Sequence, residues 1–310
     1  MGGAGFPTHV KLAPKNADAI THLLVNGAEC EPYITCDYRQ MLENGENIIS
    51  GTRIALQLFK NAKAYICIED NKMDAIMHLE KLCEKEEKIE VVPLKTKYPQ
   101  GGERFLISAV TGKEINSSML PADAGCVVDN ISTMIAIHDA VVYEKPLTHR
   151  VVTISGDAIT TPSNFLVPLG TYVEELLDAA KGYDEELEKL ISGGPMMGIA
   201  MFDAKVPIVK TSGGITALSK DEVSAVCEMN CINCGKCVSA CPEKLVPSYL
   251  ATFAQRRDKT SFEKWYGMEC IECGCCSYIC PSHRYLTQNI RFMRQTILMD
   301  RKAAASKGGK

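Results

Sequence analysis

A cysteine repeat near the carboxyl end of the chain constrains the fold more than any other feature. The chain has 310 residues and 15 cysteines, and ten of these lie between Cys227 and Cys280. Four cysteines recur 39 residues further along with unchanged spacing: Cys231, Cys234, Cys237 and Cys241 are followed by Cys270, Cys273, Cys276 and Cys280. An odd total of cysteines at such tight spacing favours metal ligation in a reducing compartment over a disulfide framework.

Each run reads C-x2-C-x2-C-x3-C-P, the pattern of two-cluster ferredoxins, in which the fourth ligand of each cubane comes from the other run. Glycine within each run, Gly235 and Gly274, lets backbone amides approach the cluster sulfide. The pattern therefore predicts one [4Fe–4S] cluster on Cys231, Cys234, Cys237 and Cys280, and another on Cys270, Cys273, Cys276 and Cys241. Two zinc sites are the alternative, because C-x2-C pairs also hold zinc.

Two adjacent cubanes offer single-electron couples and no open coordination position for a substrate, which indicates electron transfer. Cys227 and Cys275 have no counterpart at the repeat offset and are not predicted to be ligands. The other five are expected to be small buried apolar residues: Cys30, Cys36, Cys67, Cys83 and Cys126.

Composition narrows the class of protein further. The length predicts two or three domains, and 46% apolar and 23% charged residues are ordinary for a chain with a sizeable core. A formal charge of −4 argues against a general nucleic-acid binder. No stretch of 18 apolar residues occurs and no secretory pattern opens the sequence, so neither a membrane span nor export is predicted.

The first part of the chain alternates between short apolar runs and helical periodicity. Strands are predicted at 23–25, 64–68 and 89–92, and helices at 37–59, 76–83 and 132–142. This alternation predicts a parallel α/β sheet whose ligand lies beyond the carboxyl ends of the strands.

From about Leu147 the pattern changes to short strands separated by turn residues, beginning at 151–154, with one helix at about 171–181. We interpret this segment as a small mixed β domain. It lacks a cluster of His, Cys or carboxylates, which favours a scaffolding or partner-docking role over a catalytic one. A further helix is predicted at about 247–265, between the cysteine runs.

Three segments of the α/β part could bind a ligand. The glycine-rich start with Lys11 could hold a phosphate, as glycine lets backbone amides approach it. The acidic loop after the first strand carries Glu29 and Glu31, for which solvated loop charges are the alternative. The turn from Tyr98 to Glu103 could cradle a phosphate or an isoalloxazine ring.

The ordered motifs resemble the C subunit of the Rnf-type ion-translocating electron transport complex almost from end to end. They are GGAGFPTHVKL (2–12), VNGAECEPYITCDYR (25–39), KYPQGGER (97–104), VVDNIST (127–133), SGGPMMGIA (192–200), TSGGITAL (211–218) and the two cysteine runs. The first half is also similar to the flavin- and NADH-binding subunit of respiratory complex I. The resemblance implies a Rossmann-like α/β FMN/NADH domain (1–146), a β-grasp-like soluble-ligand-binding domain (147–225) and a two-cluster ferredoxin-like domain (226–310).

The resemblance also implies roles for individual residues. Gly2, Gly3, Gly5 and Lys11 would hold the FMN phosphate, and Asn26, Tyr98, Gly101, Glu103, Asn130 and Thr133 would line the flavin. Phe6 and Glu31 match positions that contact the nicotinamide nucleotide.

Two departures from the family pattern matter. The family's glycine loop begins two residues earlier and follows another domain, so an amino-terminally truncated form is expected. Respiratory relatives also carry a Lys-Pro-Pro-Phe-like nucleotide clamp, whereas residues 113–121 here read KEINSSMLP, so nucleotide binding is expected to differ in detail.

The resulting hypothesis is an electron-input subunit that oxidises NADH at FMN and passes electrons singly through two [4Fe–4S] clusters. By resemblance, the whole complex couples electron transfer between NAD and ferredoxin to ion transport, and ferredoxin-like carriers are expected partners. Its partners would be the membrane subunits of the complex, which places it peripherally on the cytoplasmic face. After Pro281 the sequence holds seven Lys/Arg against one Asp, and this tail could contact an anionic membrane or an acidic protein, or be a solvated helix end. A soluble carrier serving another reductase, such as proline reductase, and a zinc-stabilised interaction module are the alternatives.

Overall fold

The computed structural model describes residues 5–182, 187–221, 223 and 225–308. The chain forms two compact units, residues 1–220 and 221–310. The first unit holds two β-sheets, and the described residues of the second unit form helices and loops without a strand.

The first sheet has four parallel strands in the order β3-β2-β1-β4. They are β1 (His22–Asn26), β2 (Lys63–Glu69), β3 (Ile89–Leu94) and β4 (Cys126–Asn130). Leu23 and Val25 enter one core and Leu24 enters the core on the opposite face, because successive side chains of a strand alternate between faces. The register places Asn26 of β1 beside Asn130 of β4, so both asparagines lie at the carboxyl edge of the sheet.

Helices cover both faces of this sheet, as expected where every strand is parallel. The covering helices are α2 (Cys36–Glu43), α3 (Gly45–Leu56), α4 (Met73–Cys83), α5 (Glu103–Thr111) and α6 (Ile131–Val142), and the short helix α1 (Thr8–Lys11) buries no residue. Helices α2, α3, α4 and α6 contribute to one core, while Leu106 and Ile107 of α5 contribute to the other. Short 3-10 turns occupy Ala17–Ala19 and Pro121–Ala124.

The predicted parallel α/β sheet is confirmed, with two differences in detail. The helix predicted at 37–59 is two helices, because Asn44 has a non-helical backbone (φ −125°, ψ 29°) and starts a new helix. Strand β4 was not predicted, because Asp129 and Asn130 interrupt its short apolar run.

The second sheet has five strands in the order β6-β5-β9-β7-β8. They are β5 (His149–Ser155), β6 (Ser163–Pro168), β7 (Lys189–Ser192), β8 (Ile199–Met201) and β9 (Gly214–Leu218). The β5–β9 pair is parallel and the other pairs are antiparallel. Helix α7 (Val173–Ala179) packs Leu176 and Leu177 into the core, so the predicted small mixed β domain is confirmed.

The second unit is built from a structural repeat. Its helices are α8 (Lys236–Ser239), α9 (Pro247–Gln255), α10 (Lys259–Lys264), α11 (Cys275–Tyr278) and α12 (Leu286–Gly308), with a 3-10 turn at Gly267–Glu269. Helices α8 and α9 begin 39 residues before α11 and α12, the same offset as the cysteines. The helix predicted at 247–265 is divided between α9 and α10 by Arg257, whose backbone is left-handed (φ 56°).

Candidate functional site

The carboxyl edge of the first sheet brings together three of the predicted flavin residues. The Asn26 side chain donates from Nδ2 to the Gly101 carbonyl at 2.9 Å and accepts the Ala28 N–H at 3.1 Å. Asn130 caps α6 by accepting the Ser132 N–H at 2.9 Å, and its Nδ2 reaches the Asn26 carbonyl at 3.4 Å. The two asparagines thus tie β1, β4 and the turn before α5 into one edge.

A second group of predicted residues, beside strand β4, contains Lys11 and Glu103. The Lys11 ammonium donates to the Val128 carbonyl at 2.7 Å and lies 3.5 Å from the Glu103 carboxylate. It is also 4.0 Å from the carboxylate of Asp129, a residue that is only 4% exposed. Burial raises the pKa of Asp129 to about 6, and the Lys11 charge opposes this shift.

Four buried polar atoms in this region have no hydrogen-bond partner among the described residues. They are Thr8 Oγ1, Gln100 Oε1, Asp129 Oδ2 and Thr133 Oγ1. Each belongs to a segment that also carries a predicted flavin residue: α1, the turn before α5, the end of β4 and the first turn of α6. Buried polar atoms are normally satisfied, so this set fits a polar ligand such as a flavin nucleotide.

Glu29 in the acidic loop is half-buried and hydrogen-bonded to the backbone, which argues against the alternative of a solvated loop charge. Its carboxylate accepts the N–H groups of Asp37 and Tyr38 at 2.6 and 2.9 Å and so caps the start of α2. Burial and the neighbouring Asp37 raise the pKa of Glu29 to about 8. Oxygen and sulfur atoms of Glu29, Cys36 and Asp37 lie within 4.8 Å of one another, but both Glu29 oxygens already accept backbone hydrogens.

Glu31, the other acidic residue of the loop, contacts the second sheet domain. Its Oε1 accepts the N–H groups of Met196 and Met197 at 2.8 and 3.0 Å. Gly194 permits this approach, since a Cβ at that position would lie 2.4 Å from the Glu31 Cγ. The SGGPMMGIA motif therefore supplies a backbone anchor for this carboxylate.

The rest of the acidic loop is held by strand β5. The Ser155 hydroxyl donates to the Tyr33 carbonyl at 2.7 Å, and the Thr35 N–H donates to the Thr153 hydroxyl at 3.1 Å. Gly5 contacts the same domain, because a Cβ there would lie 2.6 Å from Thr211 Cγ2. The second sheet domain thus braces two of the segments predicted to bind the cofactor.

A cavity of about 340 Å³ opens beside the acidic loop, at the carboxyl ends of β1 and β2. Its lining includes Glu31 and Tyr98 from the predicted set, together with Glu69 and Lys72. Lys72 donates to the Ala28 carbonyl at 2.9 Å and lies 3.5 Å from the Glu69 carboxylate. Phe6 is 49% exposed, while Gly2 and Gly3 lie outside the described residues.

In the second unit, two cavities collect the eight predicted ligands. The first cavity is lined by Cys231, Cys234, Cys237 and Cys280. The second cavity is lined by Cys241, Cys270, Cys273 and Cys276. Each cavity therefore combines three thiols of one run with the last thiol of the other run, and none of the described cysteines forms a disulfide. Four thiols around one space are a donor set that fits a [4Fe–4S] cluster.

The surroundings of the two cavities differ. Cys231 and Cys234 in the first cavity are exposed, whereas Cys273 and Cys276 in the second are buried. Sulfur atoms of the second cavity accept backbone hydrogens: Leu245 N–H to Cys241 and Glu272 N–H to Cys270, both at 3.4 Å. Such hydrogen bonds and solvent exposure both influence cluster potentials.

Several residues of these sites were missed by sequence reasoning. Asp129 directly precedes Asn130, and Gln100 directly precedes Gly101. Their place beside predicted flavin residues in the sequence was the signal that could have identified them. Cys30 is half-buried and accepts the Gly101 N–H at 3.3 Å, rather than serving only as an apolar filler. Cys275 lines the second cavity beside the four predicted ligands, whereas Cys227 is exposed.

Three family models match consecutive parts of the chain, in the same order as the parallel sheet, the mixed sheet and the cysteine-rich unit. Residues 1–139 match the Nuo51 FMN-binding domain, residues 151–200 match the SLBB domain, and residues 230–283 match the 4Fe-4S dicluster domain. The last match favours iron–sulfur over zinc in the cysteine-rich unit.

Two curated relatives cover most of the chain. The chain is 49% identical over 256 residues to the C subunit of the proton-translocating ferredoxin:NAD(+) oxidoreductase complex of Clostridium ljungdahlii, a match covering 83% of this chain and 56% of that protein. It is 42% identical over 302 residues to the C subunit of the Na(+)-translocating ferredoxin:NAD(+) oxidoreductase complex of Acetobacterium woodii, covering 97% of this chain and 68% of that protein. The chain thus spans between about half and two thirds of the length of these relatives.

A solved structure supports the fold. The NAD+-reducing [NiFe]-hydrogenase in its H2-reduced state matches with a TM-score of 0.65 at 18% identity, covering 93% of this chain and 58% of that chain.

The fold and the two kinds of site define a flavin and iron–sulfur protein with an FMN-binding domain, an SLBB domain and a dicluster domain. The sequence identities of 49% and 42% to the two relatives identify the family. The chain belongs to the family of C subunits of the ion-translocating ferredoxin:NAD(+) oxidoreductase complexes, the Rnf type. Among its described helices, none has the length and apolar character needed to cross a membrane.

Proposed function

We propose that this chain is the electron-input subunit of an Rnf-type complex, and that it transfers electrons between NADH, FMN and two [4Fe–4S] clusters. The observation that carries the proposal is the pair of crossed four-cysteine cavities in a chain that also holds an FMN-binding domain. A chain that bound only flavin or only iron–sulfur clusters would not need both an FMN-binding domain and two four-cysteine cavities.

We assign the eight cysteines that line the two cavities as cluster ligands. Bound FMN would exchange electron pairs with NADH and pass them on singly, and bound clusters would carry single electrons. The protein's part is to hold these groups in fixed positions, because the chemistry belongs to the cofactors.

On the flavin side, the chain's residues supply charge and hydrogen bonds. Lys11 and Gly5 would hold the FMN phosphate, together with Gly2 and Gly3, which lie outside the described residues. Asn26, Gly101 and Asn130 form the edge against which the ring system would lie, and Thr133 and Glu103 would offer further polar contacts.

The nicotinamide nucleotide would occupy the cavity beside the acidic loop, where Glu31 is part of the lining. Phe6 would supply a further contact to the nucleotide, and Tyr98, which also lines the cavity, would line the flavin. Glu31 holds the loop through the Met196 and Met197 amides, so its contribution would be to set the loop position as well as to contact the ligand. No side chain is required as a general base, because hydride transfer moves no proton from the protein.

We further propose the domain division 1–146, 147–225 and 226–310, and a peripheral position on the cytoplasmic face of the membrane complex. Other subunits of the complex and ferredoxin-like carriers would be the partners. The two relatives are named as subunits of such complexes, which supports this role over that of a soluble carrier for another reductase.

The deciding experiment measures iron, acid-labile sulfide and flavin in anaerobically purified protein after addition of FMN. The proposal expects two [4Fe–4S] clusters by low-temperature EPR and a flavin absorbance that NADH bleaches. Zinc without sulfide would reject the cluster assignment, and a bound flavin that NADH fails to bleach would reject the NADH role. Association with membranes that contain the other subunits, lost in their absence, tests the proposed location.

A further inference from the structure

A buried hydroxyl lies against one of the proposed cluster ligands in the second cavity. Thr287, in the first turn of α12, is 6% exposed, and its Oγ1 is 3.4 Å from Cys276 Sγ. Thr287 lines the second cavity together with Cys276. The contact joins α12 to the short helix α11 that carries the cysteine.

A second hydroxyl orients the first. The Ser277 hydroxyl donates to Thr287 Oγ1 at 2.9 Å and accepts the Thr287 N–H at 2.9 Å. Its alternative acceptor, Gln288 Oε1, is further away at 3.4 Å. With its oxygen already accepting the Ser277 hydrogen, the Thr287 hydroxyl has its own hydrogen available for the sulfur, and a metal-bound thiolate can only accept.

The internal repeat provides a comparison within the same chain. At the 39-residue offset, Ser248 corresponds to Thr287 and Val238 corresponds to Ser277. Ser248 and Val238 both line the first cavity, but valine offers no hydroxyl to orient the serine. Among the described residues, no hydrogen bond joins the Ser248 hydroxyl to a cysteine. The two-hydroxyl arrangement is thus specific to the second cavity.

We propose that the Ser277–Thr287 hydroxyl pair is a positioning element that donates a hydrogen bond to Cys276 and raises the reduction potential of the second cluster relative to the first. A hydrogen bond to a ligand sulfur stabilises the more negative, reduced cluster, so its removal makes reduction harder. This inference rests on the proposed function, since it needs both clusters in place.

The test is a mediator-poised redox titration of the anaerobic holoprotein, followed by low-temperature EPR. Thr287→Val is expected to move one of the two midpoint potentials to a more negative value, by about a tenfold change in the reduction equilibrium, or about 59 mV for one electron. Thr287→Ser retains the hydroxyl and is expected to keep the wild-type potential. Ser277→Ala is expected to move the same potential in the same direction by a smaller amount.

Thr296→Val is the matched control, because Thr296 lies on the same helix and donates to the Phe292 carbonyl rather than to sulfur. Unchanged potentials in Thr287→Val, with both clusters present, overturn the inference. Should Thr287→Val fail to assemble the second cluster, Ser277→Ala decides the question, and an unchanged potential there overturns the inference. Wild-type protein without clusters would instead reject the proposed function itself, and the two failures are thus distinguishable.

Discussion

Glu31 Oε1 lies 2.8 Å from the Met196 amide nitrogen, although 165 residues separate them in the chain. The contact links the acidic loop after β1 to the turn between β7 and β8. One carboxylate oxygen accepts two backbone hydrogens here, and hydrogen bonds to charged groups are stronger than neutral ones. The SLBB domain therefore holds the acidic loop through the backbone N–H groups of Met196 and Met197, which gives this domain a structural part in the proposed nucleotide site.

Replacement of Gly194 by alanine should break this contact. The new Cβ would lie 2.4 Å from Glu31 Cγ and 2.8 Å from the Pro32 carbonyl oxygen, so the loop must move. We expect Gly194→Ala to lower the free energy of unfolding by about 1–3 kcal/mol, measured by urea unfolding with circular dichroism. We also expect weaker NADH binding at unchanged iron content.

Gly213→Ala is the control for this substitution, because the nearest atom to its added Cβ would be Cys36 Sγ at 3.9 Å. Its free energy of unfolding should stay within about 0.5 kcal/mol of the wild type. Equal stabilities for the two variants would show that Glu31 is not held by the Met196 turn.

Local patterns in the sequence were enough to predict three of the four strands of the first sheet and the grouping of the cysteines. The apolar runs at 23–25 and 64–68 lie inside β1 and β2, because strand patterning is a property of neighbouring residues. The crossed grouping of Cys241 and Cys280 also follows from spacing alone. The anchor of Glu31 could not be predicted, since it depends on how segments 165 residues apart in the chain pack together.

The pKa of Asp129 predicts a pH dependence of stability. Burial raises this pKa to about 6 from 3.8, so the folded protein binds more protons than the unfolded chain between these values. The contribution of this group to stability is therefore greatest at low pH and decreases as the pH rises through 6. Asp129→Asn should remove the cost of ionising this carboxyl in the folded protein. The free energy of unfolding of the variant, relative to that of the wild type, should therefore increase by about 2 kcal/mol from pH 4 to pH 8.

Urea unfolding of the flavin-free protein across this pH range measures the effect. Asp18→Asn makes the same substitution at an exposed aspartate and serves as the matched control. An Asp129→Asn profile parallel to that of the wild type would mean that the carboxyl titrates normally in the folded protein.

Lys11 should be essential for tight flavin binding. The Lys11 side chain is 27% exposed, and its ammonium donates to the Val128 carbonyl of β4 and lies close to the carboxylates of Glu103 and Asp129. A charge-assisted hydrogen bond to phosphate contributes about 1.5–3 kcal/mol, so Lys11→Met should raise the dissociation constant for FMN roughly tenfold or more. Fluorescence titration with FMN measures it, and the exposed Lys15→Met should bind as the wild type does. Equal FMN affinity in both variants would remove Lys11 from the proposed phosphate site.

Cys280 provides the sharpest test of the crossed ligand sets, because it belongs to the second run in sequence but lines the first cavity. Cys280→Ala should abolish the cluster held by Cys231, Cys234 and Cys237, and leave the other intact. Iron and acid-labile sulfide should fall to about half, and one of two EPR signals should disappear, since a cubane that loses one of its four thiolates is poorly held. Cys241→Ala should remove the other signal instead.

Cys227→Ala is the matched control and should keep both EPR signals, because Cys227 is exposed and lines neither cavity. If Cys280→Ala and Cys241→Ala abolished the same EPR signal, Cys241 and Cys280 would serve one cluster. The crossed assignment, in which each cluster takes its fourth thiolate from the other run, would then be wrong.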